Sequence, residues 1–528
     1  MAIVKQHDKR SGLTYAYESE YYWDKEKKQS RCKRKLIGRV DPKTGEIVPT
    51  DGRCRKDKKK VEEAVKKEEP KVERRHLYYG ATYLLDNLSE KLGLVNDLRE
   101  CFPDIYKQIL SIAYYMILED NTPLYRFEKF NATHKHPYGK NITSPRSSDL
   151  FARITDEQIN KFFSLQGKRR VEEEYWAYDS TSISSYSEML KQVQYGKNKE
   201  DDKLPQLNLL LVFGEKSGIP FYYRKLAGNI PDSKTVKHLL HELDILGFNK
   251  TKFVMDRGFY SEKNITDMLN QHVKFLVGVK TSLSFIKENL NNVYDKIRDF
   301  QNYDEAANSY GYTVTTSWNP DKTNSKNKHK INIHLYYSID KGAEEESAFD
   351  KRIAGLYREL IENKRVDSHE KSYSEFFEIK KTPKKIQVIP KEQAIKNAKK
   401  YLGYFALVSN EKMDAFTALH IYRMKDVVEK GFGNLKEKLN LRRMLVSSER
   451  SLDGKIFVEF IALILTSYLS KKMKDADLYK SYSFQQLLDK LDVMECFIQF
   501  DNTLKFAELL NKQKDIYNAL NIPIPSSL

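Results

Sequence analysis

Two aspartates stand where carboxylates are costly. Asp179 lies inside "WAYDSTS", among aromatic, apolar and small hydroxyl residues. Asp256 closes an apolar run in "FVMDRGFYS", with Arg257 and Gly258 turning the chain behind it. An acid in an apolar strand is expensive to bury unpaired. Two such acids on adjacent strands also repel each other. A divalent cation offsets both costs, and oxygen-only sites of a few carboxylates suit Mg²⁺ or Mn²⁺. Taken singly, each aspartate has two plainer readings: a strand-end acid capping the next turn, or a salt bridge to one of many lysines.

A third group comes from a helix expected from Asp414 to about Leu439, "IYRMKDVVEKGFGNLKEKLNLRR" at its centre. Tyr422, Lys425, Glu429 and Lys436 are spaced by three, four and seven. They fall on one helical face, within roughly 60° of each other. Val428, Phe432, Leu435 and Leu439 form an apolar stripe beside that face, fit to seat the helix on a sheet. The polar face then looks toward the sheet edge. Its plainer reading is a solvated charged face.

The elements that must hold these residues are legible around them. "YWAYDSTSISSYS", "QLNLLLVFG" and "IPFYYRKLAG" are three successive β runs. "DSKTVKHLLHELDIL" reads as a helix, "KFVMD" as a strand, the stretch capped by Ser261 as a helix, and "VKFLVGVK" as a strand. A meander followed by βαβ units indicates an α/β fold with a mixed sheet covered by helices. From about 283 to 400 strands surround a charged helical segment, and "YLGYFALVS" resumes as a buried strand. Residues 77 to 173 carry helical periodicity, and the chain beyond 446 reads as helical. Residues 1 to 54 alternate short β-like runs with basic turns. The almost wholly charged 55 to 76 is a linker or a solvated helix.

The chain has 528 residues, about 40% apolar, with a net charge of +17 and a pI near 9.2. Such a basic excess points first to nucleic acid. No apolar run reaches membrane-spanning length and the first residues have no apolar signal core, which speaks against a membrane partner. Cys32, Cys54, Cys101 and Cys496 are scattered and form no CxxC pair, in keeping with a reduced, cytoplasmic setting. His134 and His136 lack acidic or cysteine neighbours in sequence and make a poor metal pair.

On these residues the chain resembles bacterial insertion-sequence transposases of the Asp-Asp-Glu (DDE) superfamily, in the group with a β-rich insertion before the glutamate. That group's Tyr-Arg-Glu-Lys signature is met by Tyr422, Glu429 and Lys436, with Lys425 in the arginine place. "AYDSTSI", "GNIPDSKT", "DRGFYS" and "YFALVSN" are similar to family segments. The resemblance covers about 174 to 470. It implies a ribonuclease-H-like mixed-sheet core in two parts, 174–282 and 401–445, interrupted by a β-rich insertion at 283–400. A mainly helical N-terminal region would include a DNA-end-binding domain at 77–173 after the basic 1–76 segment, and a helical C-terminal region would fill 446–528.

It further implies that Asp179, Asp256 and Glu429 hold two Mg²⁺ ions, with Mn²⁺ able to substitute. The activity implied is cleavage of terminal inverted repeats and joining of the ends to target DNA. Tyr422, Lys425 and Lys436 would grip phosphates, and the double-stranded DNA ends would be paired by a homodimer at the bacterial nucleoid. Arg257 has two equal readings, a phosphate contact or a partner for a nearby acid. Trp318 also has two, a platform for a flipped base or core of the insertion. Two alternatives remain: a catalytically silent or domesticated DNA-binding protein, and a Mg²⁺-dependent nuclease on the same fold.

Overall fold

Strands 3-2-1-4-5 of one sheet, counted in chain order from Trp176, organise the larger part of the molecule. The computed structural model describes residues 2–8, 12–24, 29–42, 44–48, 75–119, 122–169, 174–185, 190–196, 204–246, 251–319, 328–382, 385–433, 448–498 and 503–525. The chain divides into two units, Met1–Arg74 and Arg75–Leu528.

In the first unit β1 (Ala2–Asp8), β2 (Leu13–Asp24), β3 (Gln29–Val40) and β4 (Ile47–Val48) form an antiparallel sheet in that order. A bulge on β3 lies opposite the Ala16/Tyr17 step. Gly38 makes the approach of β4 possible, since a Cβ there would meet the Val48 carbonyl.

The second unit begins with β5 (Arg75–Tyr78) and six helices. These are α1 (Gly80–Lys91), α2 (Leu94–Cys101), α3 (Tyr106–Leu118), α4 (Phe127–Thr133), α5 (Ser144–Arg153) and α6 (Asp156–Lys168). Thr155 and Gln158 close a capping box at the start of α6.

The core meander is β6 (Trp176–Ser184), β7 (Gln206–Gly214) and β8 (Pro220–Ala227). Then come α7 (Thr235–Ile245), β9 (Lys252–Met255), α8 (Glu262–Asn270) and β10 (Lys274–Val279). β6 pairs antiparallel with β7 and parallel with β9, and β9 pairs parallel with β10. This is the mixed α/β arrangement expected from the run order, with a ribonuclease-H-like core.

Next are α9 (Ser284–Ile297), β11 (Tyr303–Asp304), β12 (Ser309–Trp318), β13 (His329–Ser338) and the long α10 (Ile339–Ile361). α11 (Glu370–Phe376), β14 (Phe377–Thr382), β15 (Lys385–Pro390), α12 (Glu392–Lys399) and β16 (Tyr404–Ser409) follow. β16 pairs with β10 on one side and β13 on the other, so β11, β12 and β13 extend the core sheet to nine strands. The strands of 283–400 therefore do not make one sheet of their own. The free edge of β16 takes β13 as its hydrogen-bonding partner, and only β14 and β15 pair apart from the main sheet.

The chain returns to the core with α13 (Ala415–Met424) and α14 (Asp426–Gly433). It ends with α15 (Glu449–Asp475), α16 (Phe484–Asp492), β17 (Glu495–Ile498), β18 (Leu504–Phe506) and α17 (Asn511–Ala519). "VEFIALILTSYL" lies within α15, where residues from Ile456 to Ser467 are buried on all sides. Its Gly454 sits against the Phe151 backbone of α5. One apolar cluster joins α15 to the N-terminal helices and the sheet. β17 pairs with β5, tying the start of this unit to its end.

Candidate active site

Register brings the two aspartates together. Tyr178 of β6 stands opposite Met255 of the parallel β9. One residue further along come Asp179, inside β6, and Asp256, just past the end of β9, on neighbouring strands about 4.8 Å apart. The apolar residues before them are buried: Trp176, Ala177 and Tyr178 on β6, and Phe253, Val254 and Met255 on β9. These fix the strands: Asp256 emerges where β9 stops, while Asp179 stays within β6 and is followed by the buried Ser180, Thr181 and Ser182. Asp256 then accepts the Phe259 N–H through its carbonyl, and the chain turns over Arg257.

The helix that brings the third acid differs from its sequence reading in one respect. It is broken at Lys425 into α13 and α14. The Lys425 N–H bonds to the Tyr422 carbonyl at 3.2 Å, and the Val428 N–H to the Lys425 carbonyl at 2.9 Å. These i→i−3 bonds tighten the turn locally. Asp414 caps α13 by accepting from the Phe416 and Thr417 N–H groups. Ala415, Ala418 and Leu419 seat α13 on Val254, Leu276 and Leu407 of the sheet. Val428 and Phe432 bury the inner face of α14, and Gly431 lets it lie directly on Phe213 of β7. Leu435, Lys436 and Leu439 lie outside the described residues.

Tyr422 and Lys425 reach the aspartates, and Glu429 reaches Lys425. The Tyr422 hydroxyl donates to Asp256 Oδ1 at 2.7 Å. Lys425 Nζ stands 3.9 Å from Asp179 Oδ2 and 3.3 Å from Glu429 Oε1. The Lys425 side chain is only 7% exposed and that of Asp179 16%, whereas Glu429 is 62% exposed. Burial pushes the Asp256 carboxyl up. The Tyr422 hydroxyl, the Lys425 charge and the Arg257 backbone N–H outweigh it and hold the group below the ordinary carboxylate range. Burial works to lower the Lys425 pKa, but Asp179, Asp256 and Glu429 together raise it. The site therefore holds Lys425 charged and Asp256 ionised.

Two further residues belong to this geometry and were not singled out from sequence. Gly278 of β10 leaves the space that Tyr422 uses, since a Cβ there would lie 2.8 Å from its hydroxyl. Asp232, in "GNIPDSKT", accepts a 2.6 Å hydrogen bond from Ser180, the neighbour of Asp179. Its Oδ2 would be 3.5 Å from a Cβ at Gly258, two residues beyond Asp256. Asp232 thus touches the segments that carry both aspartates. The only signal in the sequence was its place in a family-like segment.

The remaining candidates are placed plainly. Arg257 is exposed, and its charge also acts on Asp256 and Tyr422. Trp318 is 7% exposed; its indole N–H donates to Thr266 at 3.1 Å and its ring meets Phe285 edge-on. Those surroundings support the core reading. His134 bonds to Asp492 and Thr133, and His136 to Ser111 and Asn131, so both serve packing.

The donor set of Asp179, Asp256 and Glu429 is hard oxygen, which fits Mg²⁺ or Mn²⁺. Among the described residues no group of three His, Cys, Asp or Glu side chains is arranged to hold a metal ion. In this arrangement Lys425 offsets the charge that a cation would otherwise offset. Glu429 is the most exposed of the three and has the most room to move.

A mixed sheet in the order 3-2-1-4-5, an acid inside its first strand, another just after its fourth, and a third acid on a helix packed against the sheet define a ribonuclease-H-like core. The chain matches the transposase DDE domain family over residues 172–465, more than half its length. It belongs to that DDE transposase family. Among solved structures it is similar to a piggyBac transposase synaptic complex with hairpin DNA. The identity is 10% and the TM-score 0.35, over 84% of this chain and 83% of that one. No curated protein matches the chain. No helix among the described residues is long and apolar enough to cross a membrane.

Proposed function

We propose that this protein binds the terminal inverted repeats of an insertion sequence, cleaves the DNA at those ends and joins them to target DNA, acting at the bacterial nucleoid. The observation that carries this reading is the convergence of Asp179, Asp256 and Glu429 on one buried ammonium, Lys425. Two Mg²⁺ ions held by these carboxylates would supply an activated water or 3′-hydroxyl and would neutralise charge developing at phosphorus. Tyr422 fixes the orientation of Asp256 through its hydrogen bond. Lys425 keeps Asp179 and Glu429 from repelling each other, and supplies positive charge where a scissile phosphate must sit. The exposed Arg257 is assigned to backbone phosphates, as is Lys436. Both ends of the element must be held at once, which a homodimer on paired ends provides.

The test is to change Asp179, Asp256 and Glu429 singly to alanine. Strand cleavage of a cognate end in Mg²⁺ should be lost while gel-shift binding of that end persists. An alanine variant that cleaves normally removes its residue from the assignment. Cleavage without joining by the wild type would make the protein a nuclease instead.

A further inference from the structure

The four-stranded sheet of the first unit has two unlike faces. Side chains alternate along β2, so Tyr15, Tyr17, Ser19, Tyr21 and Trp23 share one face. Their partners in register are Arg39, Leu36, Arg34, Cys32 and Ser30 on β3, and Gln6 and Val4 on β1. The contacts agree: Arg34 donates to Gln6 at 3.3 Å, and Cys32 and Tyr21 hold its guanidinium charged. On the opposite face Glu18 stands across from Lys35, and Glu20 across from Lys33. There Lys33 and Lys35 are matched by acids, while Arg31 stands across from Tyr22 and Lys5 across from Ala16. On the aromatic face two arginines stand among four aromatic rings, and the one strand carboxylate on that side among the described residues, Asp8, is at the far end from Trp23.

Among the described residues of this unit only Ala16, Ser19 and Gly38 are buried, and Tyr21 and Trp23 are 61% and 63% exposed. Exposed aromatic rings beside unmatched arginines are the combination that takes bases by stacking and phosphates by charge. Tyr21 and Trp23 are two residues apart on a strand, about 6.8 Å. Stacked bases in a duplex are about 3.4 Å apart, so successive bases could meet these rings only when unstacked.

We propose that this face binds single-stranded nucleic acid, with Tyr21 and Trp23 as stacking platforms and Arg34 and Arg39 on the backbone. The proposal goes beyond the carboxylate site and does not rest on it. The full-length protein supplies its own probe. Of its three tryptophans, Trp176 and Trp318 are 0% and 7% exposed, so Trp23 is the solvent-facing one.

The experiment titrates the full-length protein with a mixed-sequence single-stranded oligonucleotide and with a blunt duplex of the same length. Tryptophan emission and the anisotropy of the labelled oligonucleotide are followed. The single strand should quench emission and the duplex should not, and Trp23→Phe should abolish the quench. Tyr21→Ala/Trp23→Ala should weaken single-strand affinity at least about tenfold and leave duplex affinity and melting temperature unchanged. Arg34→Ala/Arg39→Ala should lower the single-strand salt slope by about 1.4, while Lys33→Ala/Lys35→Ala on the other face should leave the quench intact. Unchanged single-strand affinity in the aromatic double variant overturns the proposal. So does a change in oligomeric state or melting temperature without a change in binding, which would show that the face covers protein instead.

Discussion

Replacing Gly278 with alanine should disturb the active site without touching any carboxylate. The added Cβ would stand 2.8 Å from the Tyr422 hydroxyl and 3.1 Å from the Arg257 backbone nitrogen. The first contact is about 0.6 Å inside ordinary van der Waals distance, where repulsion is steep. The hydroxyl is the far end of a side chain, so it yields, and its bond to Asp256 is lost. A hydrogen bond to a charged group contributes about 1.5–3 kcal/mol. Restricting the unfolded chain by the Gly→Ala change returns about 0.4–1 kcal/mol. A net loss of about 1–2 kcal/mol is expected.

In a Tyr422→Phe background the hydroxyl is absent. The nearest ring atom then lies at 3.4 Å, ordinary contact, and only the approach to Arg257 remains tight. The entropy gain is common to both backgrounds, so Gly278→Ala should cost about 1.5–3 kcal/mol less there than in the wild type. Denaturant unfolding of the four proteins measures this coupling. Strand cleavage by Gly278→Ala should fall about ten- to a hundredfold, because Asp256 loses the group that orients it. Stability effects that add to within about 0.5 kcal/mol would refute the claim that Gly278 exists to admit the Tyr422 hydroxyl.

Asp232→Asn should lower cleavage about tenfold or more while leaving end binding unchanged, since it weakens the hold on Ser180 beside Asp179; wild-type rates would separate Asp232 from the site. Light scattering should find a monomer without DNA and a dimer on paired ends, and a single protein per joined end would exclude that assembly. Glu459, inside α15, has its carboxyl pushed up to about 7 by burial, with Lys455 at 3.7 Å pulling the other way. Its unfolded pKa is near 4.3, so the unfolded chain releases the proton first. The stability it confers is complete below about pH 4 and is lost as pH rises through about 7, about 4 kcal/mol in all. Unfolding free energies from pH 4.5 to 8 should show this decline, and Glu459→Gln should flatten it.

How much of this was legible depended on whether the signal was local. Each core strand carries its own apolar run, and the order of β6 to β10 followed from runs and turns alone. The two aspartates stood out because they end or interrupt such runs. The break at Lys425 gave no sign. A switch from i→i−4 to i→i−3 bonding leaves the apolar spacing of Val428 and Phe432 almost unchanged. The merging of β12 and β13 with the core sheet was equally hidden, because an edge strand's partner is chosen in space. Gly278 read as one glycine in an apolar strand, and its meaning lies in a tyrosine hydroxyl 144 positions away. Glu429 came from the family resemblance more than from its helical face, which many solvated helices share.

The charge of the cluster leads to one more consequence. Asp179, Asp256 and Glu429 carry three negative charges, and Lys425 returns one positive charge. Two negative charges remain where the proposed reaction places a phosphate. Like charges about 4 Å apart repel by about 1 kcal/mol in water and about 4 kcal/mol at the dielectric typical of a protein surface. The basic surface elsewhere cannot cancel this at contact range, because its charges are screened beyond about 10 Å. Divalent cations should therefore strengthen end binding as well as enable chemistry. The affinity of the wild type for a cognate end should rise at least about tenfold from EDTA to Ca²⁺, a cation that takes the same oxygen donors. In an Asp179→Asn/Asp256→Asn variant, with both charges removed, affinity in EDTA should already be high and Ca²⁺ should add little. If the wild type bound equally well with and without the cation, the carboxylates would not be facing the phosphate, and the proposed placement of DNA over them would fail.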